Sequence, residues 1–164
     1  MARYSVGFQS KTMVAVADAN AYTDNGYCTF LQGGNATMQL KVNEVYLGGE
    51  SSSSTPTTMV LGRDSTVGAT AISGNFNALL DAVGTAPGTV AVYGSVSTTK
   101  PQRSATLGHL LQLSLNTYGG IARWQARYGE EITTYGASAS LGEVSLSSVT
   151  GTGIVSGHVL YEVV

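Results

Sequence analysis

Residues 38–49 read MQLKVNEVYLGG, and this stretch decides the fold class. Apolar residues from Met38 to Val42 alternate with polar ones, which is the pattern of a β-strand with one buried face. From Val45 onward the alternation continues on the opposite parity. We therefore predict a β-strand with a bulge at Asn43–Glu44, where one extra residue absorbs the change of phase.

The same alternation and the same turn signals recur on both sides of this strand. Runs rich in β-branched and aromatic residues are separated by short clusters of Gly, Asn, Asp, Ser and Pro. Strands are predicted within 4–8, 27–31, 57–61, 67–72, 89–96, 107–115, 121–128, 144–146 and 159–163. About eight to ten short strands with turn signals about every 8–12 residues indicate an all-β antiparallel sandwich, of the jelly-roll type. The 164 residues are predicted to form a single domain, 1–164.

One segment departs from the alternation. Phe76, Leu79, Leu80 and Val83 follow helical spacing, and Gly84 supplies a stop signal. This pattern predicts one short helix over residues 76–83.

The composition restricts the kinds of partner. Charged residues make up 11% of the chain and the formal net charge is −2, which argues against binding to nucleic acid through phosphate neutralisation. Eighteen Ser and nineteen Thr replace the usual Lys and Glu. A weakly charged surface of this kind is more often covered by neighbouring molecules than left bare.

The sequence also predicts where the protein is made. The apolar run 13–17 ends at Asp18 and is shorter than the core of a signal peptide. No stretch approaches the ~20 apolar residues of a membrane span. We expect a protein that is made in the cytoplasm and not secreted, with no membrane partner. Cys28, the one cysteine, is predicted to be an inert thiol in the core.

Catalytic and metal-binding patterns are weak. His109 and His158 are far apart in sequence, and each is predicted to be a partly exposed strand residue. The run Asp18–Asp24 begins like a calcium loop, but Tyr22 and Thr23 stand where an oxygen ligand and a glycine belong. The prediction is that the protein is not an enzyme and holds no metal or cofactor.

A pair of arginines suggests a contact surface. In the predicted strand 121–128, alternation places Arg123 and Arg127 on one face, opposite Trp124 and Tyr128, which are predicted to be core residues. A second charged pair lies in the predicted turn that follows the strand 57–61. The candidate interface residues are Arg123, Arg127, Arg63 and Asp64.

Three segments give the chain a family resemblance. It opens MARYSVGFQ; residues 41–49, KVNEVYLGG, run into a serine-rich loop and then into TTMVLGR at 57–63; and it ends on the strand GHVLYEVV at 157–164. In this layout the chain resembles the small jelly-roll decoration, or cement, proteins of tailed-bacteriophage capsids. The resemblance implies a homotrimer that binds the major capsid protein on the outside of the virion and stabilises the shell, with no catalytic residues.

Two other classes of function remain open. Jelly rolls also serve as lectins, so the alternative is a lectin-like module that binds glycans. Its sugar-stacking side chains, if exposed, would come from Tyr22, Tyr27, Tyr118, Trp124 and Tyr135. A hydrolase whose site is assembled only by the fold ranks below both.

Overall fold

The computed structural model describes residues 3–32, 39–68, 76–79, 90–91, 100–134 and 142–164, and the regular structure within these ranges is entirely β. The strands are β1 Arg3–Val14, β2 Tyr27–Gln32, β3 Leu40–Gly49, β4 Pro56–Thr66, β5 Phe76–Leu79, β6 Val90–Ala91, β7 Gln102–Arg103, β8 His109–Asn116, β9 Ile121–Gln125, β10 Ile132–Thr133, β11 Glu143–Thr150 and β12 Thr152–Val163.

These strands form two antiparallel sheets. In sheet one the order is β3, β12, β1 and β5, and both β9 and β10 pair with the free edge of β3. In sheet two the order is β4, β11, β2 and β6, and both β7 and β8 pair with the free edge of β4. Strands that follow one another in the first part of the chain therefore alternate between the sheets.

The two sheets pack face to face on one hydrophobic core. Inward-facing side chains of sheet one meet those of sheet two, as the alternation predicts for a β-sandwich. Fully burying each such aliphatic or aromatic side chain contributes about 1.5–3 kcal/mol. The most deeply buried members are Val6, Met13, Leu40, Val42, Val45, Leu47, Val155, Val159 and Tyr161 from sheet one, and Cys28, Leu31, Met59, Leu61, Val144 and Leu146 from sheet two.

The predicted bulge is confirmed. Leu160 of β12 pairs with Glu44 and Tyr161 pairs with Val42, so Asn43 is an extra residue in β3. Because of this residue both Val42 and Val45 are buried, although they lie on opposite parities.

The predicted helix over 76–83 is wrong. Residues Phe76–Leu79 form β5 and pair with Gly7 to Tyr4 of β1, while 80–83 lie outside the described residues. A helix of two turns is marginal without tertiary support, and the edge of β1 offers this segment backbone partners.

The predicted turn at 62–64 is also wrong, because β4 continues to Thr66 and keeps its pairing with β11 through Arg63. Glycine at position 62 serves close packing instead. A Cβ there would lie 2.9 Å from Cδ of Arg103. Of the strand predicted at 67–72, Val67 and Gly68 are not strand residues, and the rest lies outside the described residues.

The sequence Tyr118-Gly119-Gly120 predicts a hairpin turn, but in the structure it joins β8 in sheet two to β9 in sheet one, so it crosses between the sheets. The following strand is shorter than predicted and ends at Gln125. Trp124 packs on the core as expected. Tyr128 does not: its side chain is fully exposed, because the chain turns at Gly129, whose φ is +84°.

Candidate binding surface

The outer face of sheet one is open to solvent. Across its middle, Gly7, His158, Tyr46 and Arg123 lie side by side on β1, β12, β3 and β9. They point outward because their neighbours along each strand are core residues. The rings of Tyr46 and His158 stack with centroids 5.3 Å apart and an interplanar angle of 12°.

A charged cluster adjoins this row. The bulge turns Glu44 to the outer face, where its carboxylate accepts hydrogen bonds from Nε of Arg123 at 3.1 Å and from Nη2 at 2.9 Å. Nε2 of His158 lies 3.5 Å from the same carboxylate. The hydrogen bonds from Arg123 hold the pKa of Glu44 below its usual value, against the opposing effect of burial. The charge of Glu44 is thus neutralised on the sheet.

A groove of about 580 Å³ lies on the other side of the Tyr46–His158 stack. Its floor is at Gly48, which pairs with Ser156 on one side and with Ile121 on the other and has no side chain to fill the row. We call it the Gly48 groove. It is bounded by residues from β1, β3, β9, β12 and the β8–β9 turn, including Phe8, Gln9, Tyr46, Glu50, Gly120 and Ile121.

The rim of the Gly48 groove carries an exposed, oriented carboxylate. Oγ of Ser10 donates to Oε2 of Glu50 at 2.7 Å. Hydrogen bonds from Ser156 and Ser10, in that order of importance, lower the pKa of Glu50. Glu50 therefore stays ionised at neutral pH, with its carboxylate hydrogen-bonded to Ser10.

The outer face of sheet two is covered around β11 by the chain itself, while Gln112 and Ser114 on β8 are exposed. The β1–β2 segment, residues 15–26, folds over β11, with the amide of Val16 donating to the carbonyl of Ser148 at 3.0 Å. A second apolar cluster forms beneath it from Val16, Tyr22, Tyr27 and Phe30.

Arg103 holds this cover in place. Its side chain has no exposed surface and donates hydrogen bonds to Asp18 and Val16 of the cover and to Ser147 of β11. The guanidinium also stands 5.7 Å from the ring centroid of Tyr22, in the range of a cation–π contact.

Two carboxyl groups are buried under the cover. Oδ1 of Asp64 accepts from Ser145 at 2.6 Å, and both oxygens of Glu143 lie 3.1 Å from the amide of Gly68. Burial, and then the neighbouring Asp64, raise the pKa of Glu143 far above the usual carboxyl range. Burial also raises the pKa of Asp64. At neutral pH the pair of carboxyl groups therefore holds a proton.

The candidate interface residues do not form one surface. Arg123 and Arg127 are both exposed, Arg123 within β9 and Arg127 two residues beyond its end. Nη2 of Arg63 donates to the carbonyl of Thr133 at 2.9 Å, which joins the two sheets. Asp64 has no exposed surface, so it cannot contribute to a surface contact. The reason is the cover, which the sequence pattern does not reveal.

The proposed sugar-stacking residues are mostly inside. Tyr22 and Tyr27 are buried, and Trp124 packs on the core. Tyr118 is 63% exposed, and Tyr135 lies outside the described residues. Sequence reasoning missed Tyr46, whose outward direction follows from the bulge that the same reasoning had found.

The histidines are partly exposed strand residues, as predicted. Nε2 of His109 lies 3.0 Å from Oδ2 of Asp18, and its Nδ1 accepts from Gln112 at 2.6 Å. In the described ranges neither histidine contacts a Ser or Cys that could act as a nucleophile.

The predicted core position of Cys28 is confirmed. Burial raises the pKa of its thiol to about 12, which makes it unreactive at neutral pH. Among the residues that the structure describes, no group of three His, Cys, Asp or Glu is placed to hold a metal ion.

No family model matches the chain, and neither the curated proteins nor the solved structures give a significant match. The part of the chain that the structure describes has no helix long and apolar enough to cross a membrane.

Proposed function

We propose that this chain is a structural virion protein, a decoration protein that binds the outside of a phage capsid as a homotrimer and stabilises it. Its partners would be two further copies of itself and the major capsid protein, with no nucleic acid, membrane, cofactor or catalytic step. It would be made in the host cytoplasm.

The proposed fold is a jelly roll, and the strand pairing supports it. The pairs β4–β8, β3–β9, β2–β11 and β1–β12 are nested, as in one long hairpin, and successive pairs alternate between the two sheets. Wrapping a long hairpin into two sheets in this way yields the two Greek keys of a jelly roll. A jelly roll alone does not decide function.

The observation that carries the binding role is a set of exposed side chains on β9 and just beyond its end. Arg123 is 55% exposed, Arg127 is exposed, and the side chain of Tyr128 is fully exposed. Tyrosine and arginine are the residue types most enriched at the energetic centres of protein interfaces. We call Arg123, Arg127 and Tyr128 the Arg127 surface, and we propose that it contacts the capsid or a neighbouring subunit.

The first test is the oligomeric state of the purified chain. Light scattering should give a mass of about three times 16.9 kDa. A clean monomer at micromolar concentration would remove the support for a trimer.

The second test is attachment to the capsid. The double variant Arg123→Ala with Arg127→Ala, and separately Tyr128→Ala, should fold but bind mature particles more weakly. The effect of the arginine changes should be larger at low salt, because salt screens interactions between exposed charges.

Two variants serve as matched controls. Tyr118→Ala changes an exposed tyrosine near the opposite end of β9, and Lys100→Ala removes a positive charge on the covered side. Binding of the parent to particles at saturating stoichiometry, with greater resistance of the particle to heat, is the expected result. Equal binding by parent and variants at every ionic strength would exclude the Arg127 surface.

A further inference from the structure

Gly48 is a glycine that the backbone does not require. It lies inside β3, its φ is not positive, and a Cβ added there would meet nothing closer than the carbonyl oxygen of Ser156 at 4.0 Å. The next residue is different, because a Cβ at Gly49 would collide with the backbone of Thr117. Glycine inside a strand is destabilising and often marks a place where a ligand or another backbone approaches closely. What Gly48 provides is the open space above it.

The groups around that space are of two kinds. Apolar surface comes from Ile121, which is 67% exposed, and from the stacked ring of Tyr46. Hydrogen-bonding groups come from the carboxylate of Glu50, held by Ser10, and from Gln9 and other polar side chains of the groove. Apolar walls with a few oriented polar groups are typical of sites for small ligands, and 580 Å³ is within the usual range of about 300–1,000 Å³.

The kind of ligand follows from charge and from backbone pairing. The floor lies on the face of the sheet, between β12 and β9, where β3 is paired on both sides, so a peptide cannot add as a further strand. Among the described residues that line the groove, Glu50 is the one carboxylate, and the nearby Glu44 is neutralised by Arg123. A phosphorylated or other anionic ligand is therefore disfavoured.

We infer that the Gly48 groove binds a neutral saccharide. Vicinal hydroxyl groups of a sugar would donate to the carboxylate of Glu50, and its C–H face would lie against Ile121 and the edge of Tyr46. This inference goes beyond the proposed capsid role and does not depend on it. Arg127 and Tyr128 lie past the opposite end of β9 from Ile121, and Arg123, which pairs with Tyr46, is the member of the Arg127 surface that lies next to the groove.

The test starts with the intact chain on a printed array of neutral oligosaccharides. The sugar that gives the strongest signal is then titrated into ¹⁵N-labelled protein, and the amide signals of Gly48, Gly120 and Ser156 are followed. Gly48→Leu fills the groove and should weaken binding at least about tenfold, which corresponds to about 1.4 kcal/mol. Glu50→Gln keeps the shape and removes the charge, and it should also weaken binding.

Controls separate the groove from the fold and from the capsid role. Gln125→Leu adds the same side chain to the same face outside the groove and should bind sugar like the parent. Gly48→Leu should melt no lower than the parent and should still attach to capsids. If Gly48→Leu does not fold, Ile121→Ser tests the groove wall at an exposed position without adding volume, and it too should weaken binding.

Several results would overturn the inference. One is a parent chain that binds no arrayed saccharide and shows no amide shift with millimolar glucose, galactose, mannose or N-acetylglucosamine. Another is equal binding by the parent and a folded Gly48→Leu variant. A third is a Gly48→Leu variant that loses capsid attachment while the parent shows no sugar binding, since the groove would then belong to the capsid contact.

Discussion

The two outer faces of the sandwich have similar sequence patterns and opposite environments. On sheet one the outward residues Tyr46 and His158 are partly exposed and Arg123 is exposed. On sheet two the outward residues Asp64 and Ser145 have no exposed surface, because residues 15–26 and Arg103 lie over them. Alternation thus identifies the side of the sheet on which a residue lies, while burial depends on what else the chain places there.

The largest expected effect on stability comes from removing the contacts that attach residues 15–26, the cover, to sheet two. Arg103→Met removes the guanidinium that joins Asp18 and Val16 of the cover to Ser147 of sheet two, and it leaves polar partners unpaired in a buried site. The free energy of unfolding should fall by about 3 kcal/mol or more, as measured by urea denaturation. Amide hydrogen exchange in residues 15–26 should become faster than in β3.

The control for this experiment is Arg127→Met, which makes the same change at an exposed arginine. It should change the unfolding free energy by no more than about 0.5 kcal/mol. Similar losses in the two variants would mean that Arg103 does not hold the cover.

The sequence predicts the two faces unequally. Strand alternation was enough to place the core residues Val42, Val45 and Leu47 and the bulge between them. It failed for Arg103, because the strand β7 that contains it is two residues long and too short to show alternation. A buried arginine is recognisable only from its partners, and these come from parts of the chain about 44 and 85 residues away in sequence.

The candidate site, too, was predicted only where its residues lie within one strand. Local pattern correctly identified Arg123 as outward and Trp124 as inward, since both lie within β9. It could not identify the Gly48 groove, because the groove exists only where β12, β3 and β9 lie side by side. It also misread Phe76–Leu79 as helical, since the partner that makes this segment a strand, β1, is about 70 residues away.

The second prediction concerns pH and the carboxyl pair beneath the cover. The pKa of Glu143 is raised to about 10, so between pH 6.5 and 8.5 the folded chain keeps a proton that the unfolded chain has released. A raised carboxyl pKa gives stability that is fully present below the unfolded value, near 4.5, and that is lost as pH rises toward the folded value. The unfolding free energy should fall by about 1.4 kcal/mol per pH unit over this window.

Glu143→Gln is the variant that tests this slope. The amide is neutral at every pH, can accept from the amide of Gly68 and can donate to Asp64, so the fold should be retained. Its unfolding free energy should be nearly constant from pH 6.5 to 8.5 in urea titrations. An equal slope in parent and variant would mean that another group releases the proton.

The third prediction, for which the smallest change in stability is expected, concerns the variant Arg123→Ala on the open face of sheet one. Arg123 is exposed, so the unfolding free energy at neutral pH should change little, which is the contrast with Arg103 that the two faces imply. The pKa of Glu44 should rise toward its usual value, because the hydrogen bonds from Arg123 are the main cause of its lowering. Part of the lowering should remain, since His158 stays beside the carboxylate. Carboxyl ¹³C titration by NMR measures this pKa directly, and Gln125→Ala, which changes an uncharged neighbour that pairs with Glu44, should leave it unchanged.

The pH dependence of stability follows from the same shift. A lowered carboxyl pKa contributes stability at pH values above the pKa of the unfolded chain, and this stability disappears as pH falls through the pKa of the folded chain. The stability curves of the parent and Arg123→Ala should therefore meet at low pH, with any difference confined to higher pH. A Glu44 pKa that does not move in Arg123→Ala would mean that the ion pair is not maintained in solution, and Arg123 would then be free to contact a partner without first leaving Glu44.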